Sequence, residues 1–328
     1  MKHMNVSLFV PHLGCPNSCI FCNQKTISGK TEPLRNEDII KAAETAKCTL
    51  HDIDNSEIAF FGGSFTAIDR TLMTAYLETA KPYIKSCFGG IRISTRPDCI
   101  NEEILNILKE YGVTAIELGA QSMCEDVLML NERGHTPEDT VKACELIKKY
   151  GFSLGLQMMT GLYGSDREKD IYTARQFIGL APDTVRIYPT VVLENTKLCE
   201  IYRNGLYTPS TLDDSVELCS QLLMMFYENS IKVIRLGLHS GGNVEDGFVA
   251  GVYHPAFREL CEGRIYRKIT EELLSSLPAG NYTLGVNKAE ISKAVGHARE
   301  NVLYFSEKGK NIKFTALDSL SQYNVLLI

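Results

Sequence analysis

Short apolar runs alternate with longer amphipathic ones through most of this chain, and that rhythm constrains the fold more than any other feature. The pattern predicts strands over residues 6–10, 58–61, 91–94, 113–118, 152–158, 184–188 and 231–236. Helices are expected between them, over residues 72–84, 138–150, 167–179 and 213–229 and from Asn36 and Asn101 onward. Asn36, Asp69 and Asn101 suit helix starts, and Gly112 and Gly151 suit helix ends. Strand–helix alternation of this length argues for a parallel sheet with right-handed crossovers. The strands read as mostly apolar, as expected when both sheet faces are covered. Six or seven such units make a complete barrel, a partial barrel or an open sheet, and periodicity does not choose among them.

The rhythm changes near residue 254. A helix is expected over 255–266, short strands over 282–286, 302–305 and 312–315, and a helix over 289–295. This divides the chain into residues 1–253 and a small α+β extension over 254–328. The 328 residues carry a formal net charge of −6, which disfavours a uniformly basic nucleic-acid binder, and no DNA partner is expected. No run approaches the ~18–20 apolar residues of a membrane span, and no signal peptide is recognisable. No membrane association is therefore expected, and a cytoplasmic location with reduced thiols is.

There are 11 cysteines, and three of them, Cys15, Cys19 and Cys22, fall within eight residues just after the first strand. Their spacing is C-x3-C-x2-C. Thiolates are soft, charged ligands for iron–sulfur clusters and zinc. Three on one loop can hold three irons of a [4Fe–4S] cube and leave the fourth open to a small-molecule chelate. Structural zinc wants four ligands, with His12 as the candidate fourth. The plain alternative is three buried structural cysteines. The other eight are scattered and read mostly as small core residues.

A C-x3-C-x2-C loop after a first β-strand, with aromatic Phe21 just before the last cysteine, resembles the radical S-adenosylmethionine (SAM) enzymes. The resemblance implies a partial (β/α)6-type parallel barrel in which Cys15, Cys19 and Cys22 hold a [4Fe–4S] cluster. It implies SAM as the second cofactor, bound through its amino and carboxylate groups to the open iron. It also implies reductive cleavage of SAM to a 5′-deoxyadenosyl radical, and an electron donor of the flavodoxin or ferredoxin type. Such a cluster is oxygen-sensitive.

Ligands of parallel α/β sheets gather outside the C-terminal strand ends. The second strand ends in Gly62-Gly63-Ser64, where glycines admit close backbone approach; a tight turn before a helix is the plainer reading. The segment is similar to the family's Gly-Gly-Glu motif, with Ser64 in place of the acid, which implies a backbone contact to the SAM amino group. The third strand ends in Ser94-Thr95-Arg96, whose hydroxyls and guanidinium suit ribose and carboxylate, and helix capping competes as the reading of Asp98. The fourth carries Glu117 and Gln121. A charge inside an apolar strand needs a partner, and the resemblance makes an acid or amide there a SAM contact. Arg133 follows and suits a carboxylate. Leu156 and the Gly161–Gly164 turn on the fifth strand, and Tyr188 on the sixth, are placed beside adenine. His239 and His254 read as structural.

The residues Glu117 to Ser122, Arg133 to His135, Met159 to Gly161, Arg186 to Pro189 and His254 to Phe257 resemble the radical-SAM domain of the Elongator catalytic subunit and its shorter bacterial relatives. That subgroup has a wider spacing before its second cysteine, a basic N-terminal extension and a C-terminal acetyltransferase domain. The last ~70 residues here are too few for the last of these. RNA-base modification is the activity the subgroup suggests. A porphyrinogen-oxidase-like enzyme is the alternative, although that group resembles C-x3-C-x2-C-x-C and position 24 is Gln24. A non-catalytic zinc or iron–sulfur module is the rival from outside the enzymes.

Overall fold

The computed structural model describes residues 4–10, 15, 18–23, 33–49, 56–84, 86–238 and 244–328. Its main element is a seven-stranded parallel sheet built from β1 (Met4–Val10), β2 (Ser56–Gly62), β3 (Gly90–Thr95), β4 (Val113–Gln121), β5 (Ser153–Thr160), β6 (Thr184–Pro189) and β8 (Lys232–Leu236). These pair in sequence order and the sheet does not close, since β1 and β8 are its two edges. The expected partial parallel barrel is therefore present, and its seven strands are the seven that the apolar runs predicted. Among the described residues no helix is long and apolar enough to cross a membrane.

Helices α1 (Asn36–Thr49), α2 (Arg70–Ala80), α3 (Glu102–Glu110), α5 (Pro137–Lys149), α6 (Arg167–Leu180) and α8 (Leu212–Glu228) follow the strands. Local chemistry starts them: Asp69 and Asn101 accept the N–H groups of Leu72 and Ile104, and Thr136 and Asp139 form a capping box. Gly112, at φ +81°, follows α3 as expected. One sheet face packs on these helices through Phe60, Ile93, Leu118, Leu156 and Ile187, all fully buried.

The other face is polar, and here the reading of mostly apolar strands is corrected. Arg92, Ser94, Glu117, Gln157 and Arg186 share a hydrogen-bonded network on that face. Only one face of the sheet is an oily helix contact; the other is the lining of the bowl.

Several short elements carry no strong pattern in the sequence: α4 (Glu125–Leu130), β7 (Val191–Leu193), α7 (Lys197–Arg203), α9 (Val244–Gly247) and β9 (Phe248–Gly251), with β7 and β9 paired antiparallel. Beyond them α10 (Phe257–Leu274) leads to β10 (Gly280–Val286), α11 (Ile291–Val295), α12 (Glu300–Glu307), β11 (Lys310–Ala316) and β12 (Leu326–Leu327). Strand β10 lies between β11, parallel, and β12, antiparallel. The strand expected over 302–305 is instead α12. Asn301 and Phe305, four residues apart, are buried while Leu303 is 58% exposed. That is helical spacing; a strand would bury alternate positions. The hydrophobic core crosses residue 254 without a break, because Phe257, Cys261 and Tyr266 join the cluster of the main sheet.

Candidate active site

Among the described residues of the cysteine loop, Ile20 is the large buried side chain that holds it. Ile20 is 2% exposed and packs against Val192, Leu198 and Cys199, with Phe21 at the edge of the same cluster. Its backbone is tied on both sides, as the N–H donates to Asn131 O at 3.3 Å and the C=O accepts from Leu198 N at 2.8 Å. Cys22 N–H donates to Cys19 O at 3.1 Å, closing a tight turn. Cys15 is exposed and Cys19 and Cys22 are half-buried. His12 and Gln24 lie outside the described residues, as does His239.

The facing wall is the end of β2. Gly62 has φ +114°, and a Cβ there would lie 2.8 Å from Val10 O. Gly63 N–H donates to that carbonyl at 3.0 Å. Only glycine lets the two strand ends approach this closely. Desolvation raises the Cys15 thiol above its ordinary range, opposed by the Ser64 N–H and, more weakly, by the guanidiniums of Arg96 and Arg133. The Ser64 hydroxyl is spent inside the protein, 2.8 Å from Thr95 Oγ1 and 3.2 Å from Arg96 N. Thr66, which sequence reasoning passed over, extends this chain to Thr95 at 2.6 Å and Cys99 O at 2.7 Å.

Two arginines complete the rim. Arg96 is 4% exposed and grips Asp98 through Nε and Nη2, each at 2.9 Å. That pairing is the role of Asp98, not a helix cap. The Nη1 of Arg96 and the Oε1 of Gln121 are buried with no hydrogen-bond partner among the described residues. Arg133 donates to Cys19 Sγ at 3.0 Å and to Gly119 O at 2.5 Å. His135 sits beneath, with Nε2 3.2 Å from Ala120 O. Burial first, then Arg133 and Arg96, pull its pKa down to about 4, so it is neutral at pH 7.

Deeper in the bowl, Glu117 is 1% exposed, and both its oxygens are occupied by protein donors. Oε1 accepts from Arg186 Nη2 at 2.9 Å and Arg92 Nη1 at 3.2 Å; Oε2 accepts from Arg186 Nε at 2.6 Å and Gln157 Nε2 at 2.8 Å. Arg92 also donates to Glu57 at 2.7 Å, and Gln157 to Ser94 at 3.3 Å. Gly155 makes room for this group, because a Cβ there would meet Glu117 Cγ at 2.8 Å. Tyr188 is half-buried beside Arg186, its phenol raised by burial. Leu156 lies elsewhere: it is fully buried in the helix-facing core, and its neighbour Gln157 is the residue that faces the bowl.

The turn after β5 is clamped from two sides. Gly161 N–H donates to Asp170 Oδ2 at 2.9 Å, and Tyr207 OH donates to Gly161 O at 2.6 Å. Asp170 also accepts from Ser165 at 2.6 Å and is 3% exposed, and burial pushes its pKa up to about 6.

The residues present fit an iron–sulfur cluster and a small polar chelate. Among the described residues no three His, Cys, Asp or Glu groups converge on a single ion, whereas a cube takes each thiolate on a different iron. Arg96 and Arg133 supply positive charge beside Cys15, which offsets part of the desolvation that raises its thiol. The unused Arg96 Nη1 and Gln121 Oε1 give one donor and one acceptor to a ligand in the bowl.

Sequence comparison agrees with this geometry. Residues 9–177 match the radical SAM superfamily, and residues 182–267 match its C-terminal domain. The chain belongs to the radical SAM superfamily and is an enzyme of that class. Within it, the chain is similar to the tRNA uridine(34) acetyltransferase of Methanocaldococcus jannaschii, 30% identical over 198 residues, which are 52% of this chain and 35% of the relative. The Dehalococcoides mccartyi protein of that name is 28% identical over 239 residues, 62% of this chain and 52% of its own. Elongator complex protein 3 of Mus musculus is 30% identical over 196 residues, 53% of this chain and 36% of that protein. The chain thus spans a third to a half of the length of these relatives. The archaeal Methanocaldococcus infernus Elp3, solved with an N-terminal deletion, superposes with a TM-score of 0.65 at 23% identity, covering 81% of this chain and 63% of that one. Methylornithine synthase gives a TM-score of 0.51 at 18% identity, covering 74% of this chain and 76% of that one. Both likenesses concern the fold alone.

Proposed function

We propose that this enzyme binds a [4Fe–4S] cluster at Cys15, Cys19 and Cys22 with SAM beside it, and modifies an RNA base. When bound, that pair supplies a 5′-deoxyadenosyl radical by one-electron cleavage of SAM, the electron coming from a donor of the flavodoxin or ferredoxin type. The observation that carries this reading is the placement of Arg133 on Cys19 and of Ser64 N–H and Arg96 near Cys15. Arg133 on Cys19 and Arg96 near Cys15 place positive charge beside the sulfurs that the cluster would use. The backbone of Gly62 and Gly63 receives the SAM amino group where no side chain intervenes, and Arg96 Nη1 receives its carboxylate. Gln121 and Tyr188 orient the nucleoside. Glu117 acts through Arg186 and Gln157 and keeps the floor of the bowl rigid.

RNA as substrate is supported by the names of the similar tRNA-modifying proteins. The proposal concerns the SAM-cleaving unit, residues 1–253, and treats 254–328 as its support. Free thiols and an oxygen-sensitive cluster suit the reducing cytoplasm.

Anaerobic reconstitution tests the reading. The expected result is about four irons per chain and, on reduction, SAM-dependent 5′-deoxyadenosine, both lost in Cys15→Ala, Cys19→Ala and Cys22→Ala. Zinc alone, or a correctly loaded cluster that makes no 5′-deoxyadenosine, refutes it. Retention of hydrogen label from a tRNA pool in 5′-deoxyadenosine supports the RNA assignment; no transfer from any RNA removes it.

A further inference from the structure

Charged residues run across the bowl from β2 to β8: Glu57, Arg92, Glu117, Arg186 and Arg235. The first four alternate in sign and pair with one another. The fifth breaks the pattern. Arg235 lies opposite Arg186 in the β6–β8 ladder and has no carboxylate partner among the described residues. It donates to the carbonyls of Gly237, at 2.8 Å, and Leu238. Burial, together with the guanidiniums of Arg186 and Arg258, holds it below the usual arginine range, with Tyr188 opposing. The row therefore ends in an uncompensated cation at the open edge of the sheet. A half-buried charge in that position calls for a counter-charge from outside the chain.

A cavity of about 120 Å³ opens at that edge, with Arg235, Arg258 and His254 among its walls and Leu238, Pro255 and Phe257 as its apolar sides. Every polar side chain in the lining is a donor. Arg258 donates to Val233 O at 2.9 Å and to Glu262 at 3.0 Å, but Glu262 also serves Lys293 at 3.3 Å. His254 Nδ1 accepts from Ala256 N–H at 3.1 Å, which places the proton of the neutral ring on Nε2. Among the described residues no carboxylate lines the space.

We propose that this cavity binds one phosphate group, as a mono- or diester. Its size admits a single tetrahedral oxyanion rather than a whole nucleotide. Two guanidiniums and an imidazole N–H approach from different directions, which matches the charge and tetrahedral oxygens of a phosphate ester better than a planar carboxylate. The phosphate comes either from the backbone of an RNA substrate, which rests on the function proposed above, or from a free phosphorylated compound.

Two probes on the full chain separate these sources, with Arg235→Gln, Arg258→Gln and the charge-keeping Arg235→Lys as variants. At constant ionic strength, inorganic phosphate raises the melting temperature of the wild type saturably. The apparent affinity falls about tenfold or more in Arg235→Gln, by less in Arg235→Lys, and the shift is read within each variant so that a stability change does not enter. With a single-stranded RNA oligonucleotide, loss of one phosphate contact lowers the slope of log K against log salt by about 0.7 in Arg235→Gln. Loss of the phosphate effect with an unchanged RNA slope keeps the site and gives it to a free ligand. Phosphate that stabilises Arg235→Gln as well as the wild type, or stabilises neither, overturns the proposal. None of these readouts uses the cluster, so failure of SAM cleavage would refute the enzymatic reading and leave this one standing.

Discussion

Arg186 holds Glu117 by two parallel bonds, Nε to Oε2 at 2.6 Å and Nη2 to Oε1 at 2.9 Å, inside a bowl where the carboxylate is 1% exposed. The guanidinium also lies over the Phe61 ring, 5.1 Å from its centroid. Two-point geometry of this kind fixes direction as well as distance. It locks β4 to β6 across β5 on the polar side of the sheet.

Removing one member of the pair leaves a buried charge without its partner. Glu117→Gln is expected to destabilise the fold by about 3–5 kcal/mol, measured by urea denaturation. Glu117→Gln/Arg186→Gln is expected to recover part of that loss, because the orphaned cation is gone too. A single-variant loss below about 1 kcal/mol would show that the network carries little.

Asp170 titrates in the opposite sense from a surface carboxylate. Its folded pKa, raised to about 6, exceeds its ordinary value of 3.8, so the folded state keeps a proton that the unfolded state releases. The stabilisation is complete below pH ~4 and is lost as pH rises through ~6, by up to roughly 3 kcal/mol. Unfolding midpoints between pH 4 and 7 check this. Asp170→Asn should flatten the contribution, and an identical pH slope in that variant would contradict it.

Gly62 and Gly151 both sit at positive φ but in different surroundings, +114° with Val10 O 2.8 Å from an added Cβ, and +80° with nothing within 4 Å. Gly62→Ala is expected to lose about 1–3 kcal/mol more stability than Gly151→Ala. Equal melting temperatures for the two variants would mean that the β1–β2 junction relaxes freely.

Arg133 places a positive charge 3.0 Å from Cys19 Sγ. A cation stabilises the more negative, reduced form of a thiolate-bound cluster. In protein reconstituted with the proposed cluster, Arg133→Gln is therefore expected to lower its midpoint potential by about tens of millivolts, and Arg133→Lys to lower it less. Redox titration followed by electron paramagnetic resonance reads this without relying on turnover.

The parts of the site legible in the sequence were those whose signal is local. Cys15, Cys19 and Cys22 announce themselves by spacing, and Gly62-Gly63 by falling at a strand end. The partners of Glu117 were not legible, because Arg92 and Arg186 lie 25 and 69 residues away and meet it only through sheet register. The Leu156 side chain lies in the helix-facing core while Gln157 faces the bowl, since neighbouring side chains on a strand face opposite ways. The alternation that would have found Gln157 was present in Arg92, Ser94, Arg186 and Tyr188, but reads weakly against apolar neighbours. Residues 302–305 show the converse limit: β-branched and aromatic residues suggested a strand, and the buried Asn301–Phe305 spacing made a helix.

Strand β1 is hydrogen-bonded to β2 alone, whereas each inner strand is bonded on both sides. Lifting β1 breaks one ladder; lifting β4 breaks two. The strand that leads to the cysteines is thus held by one ladder, as is the other edge strand β8, and opens locally at lower cost than an inner strand. The metal centre proposed at the end of that strand would then be loaded, or emptied, while the inner strands stay folded.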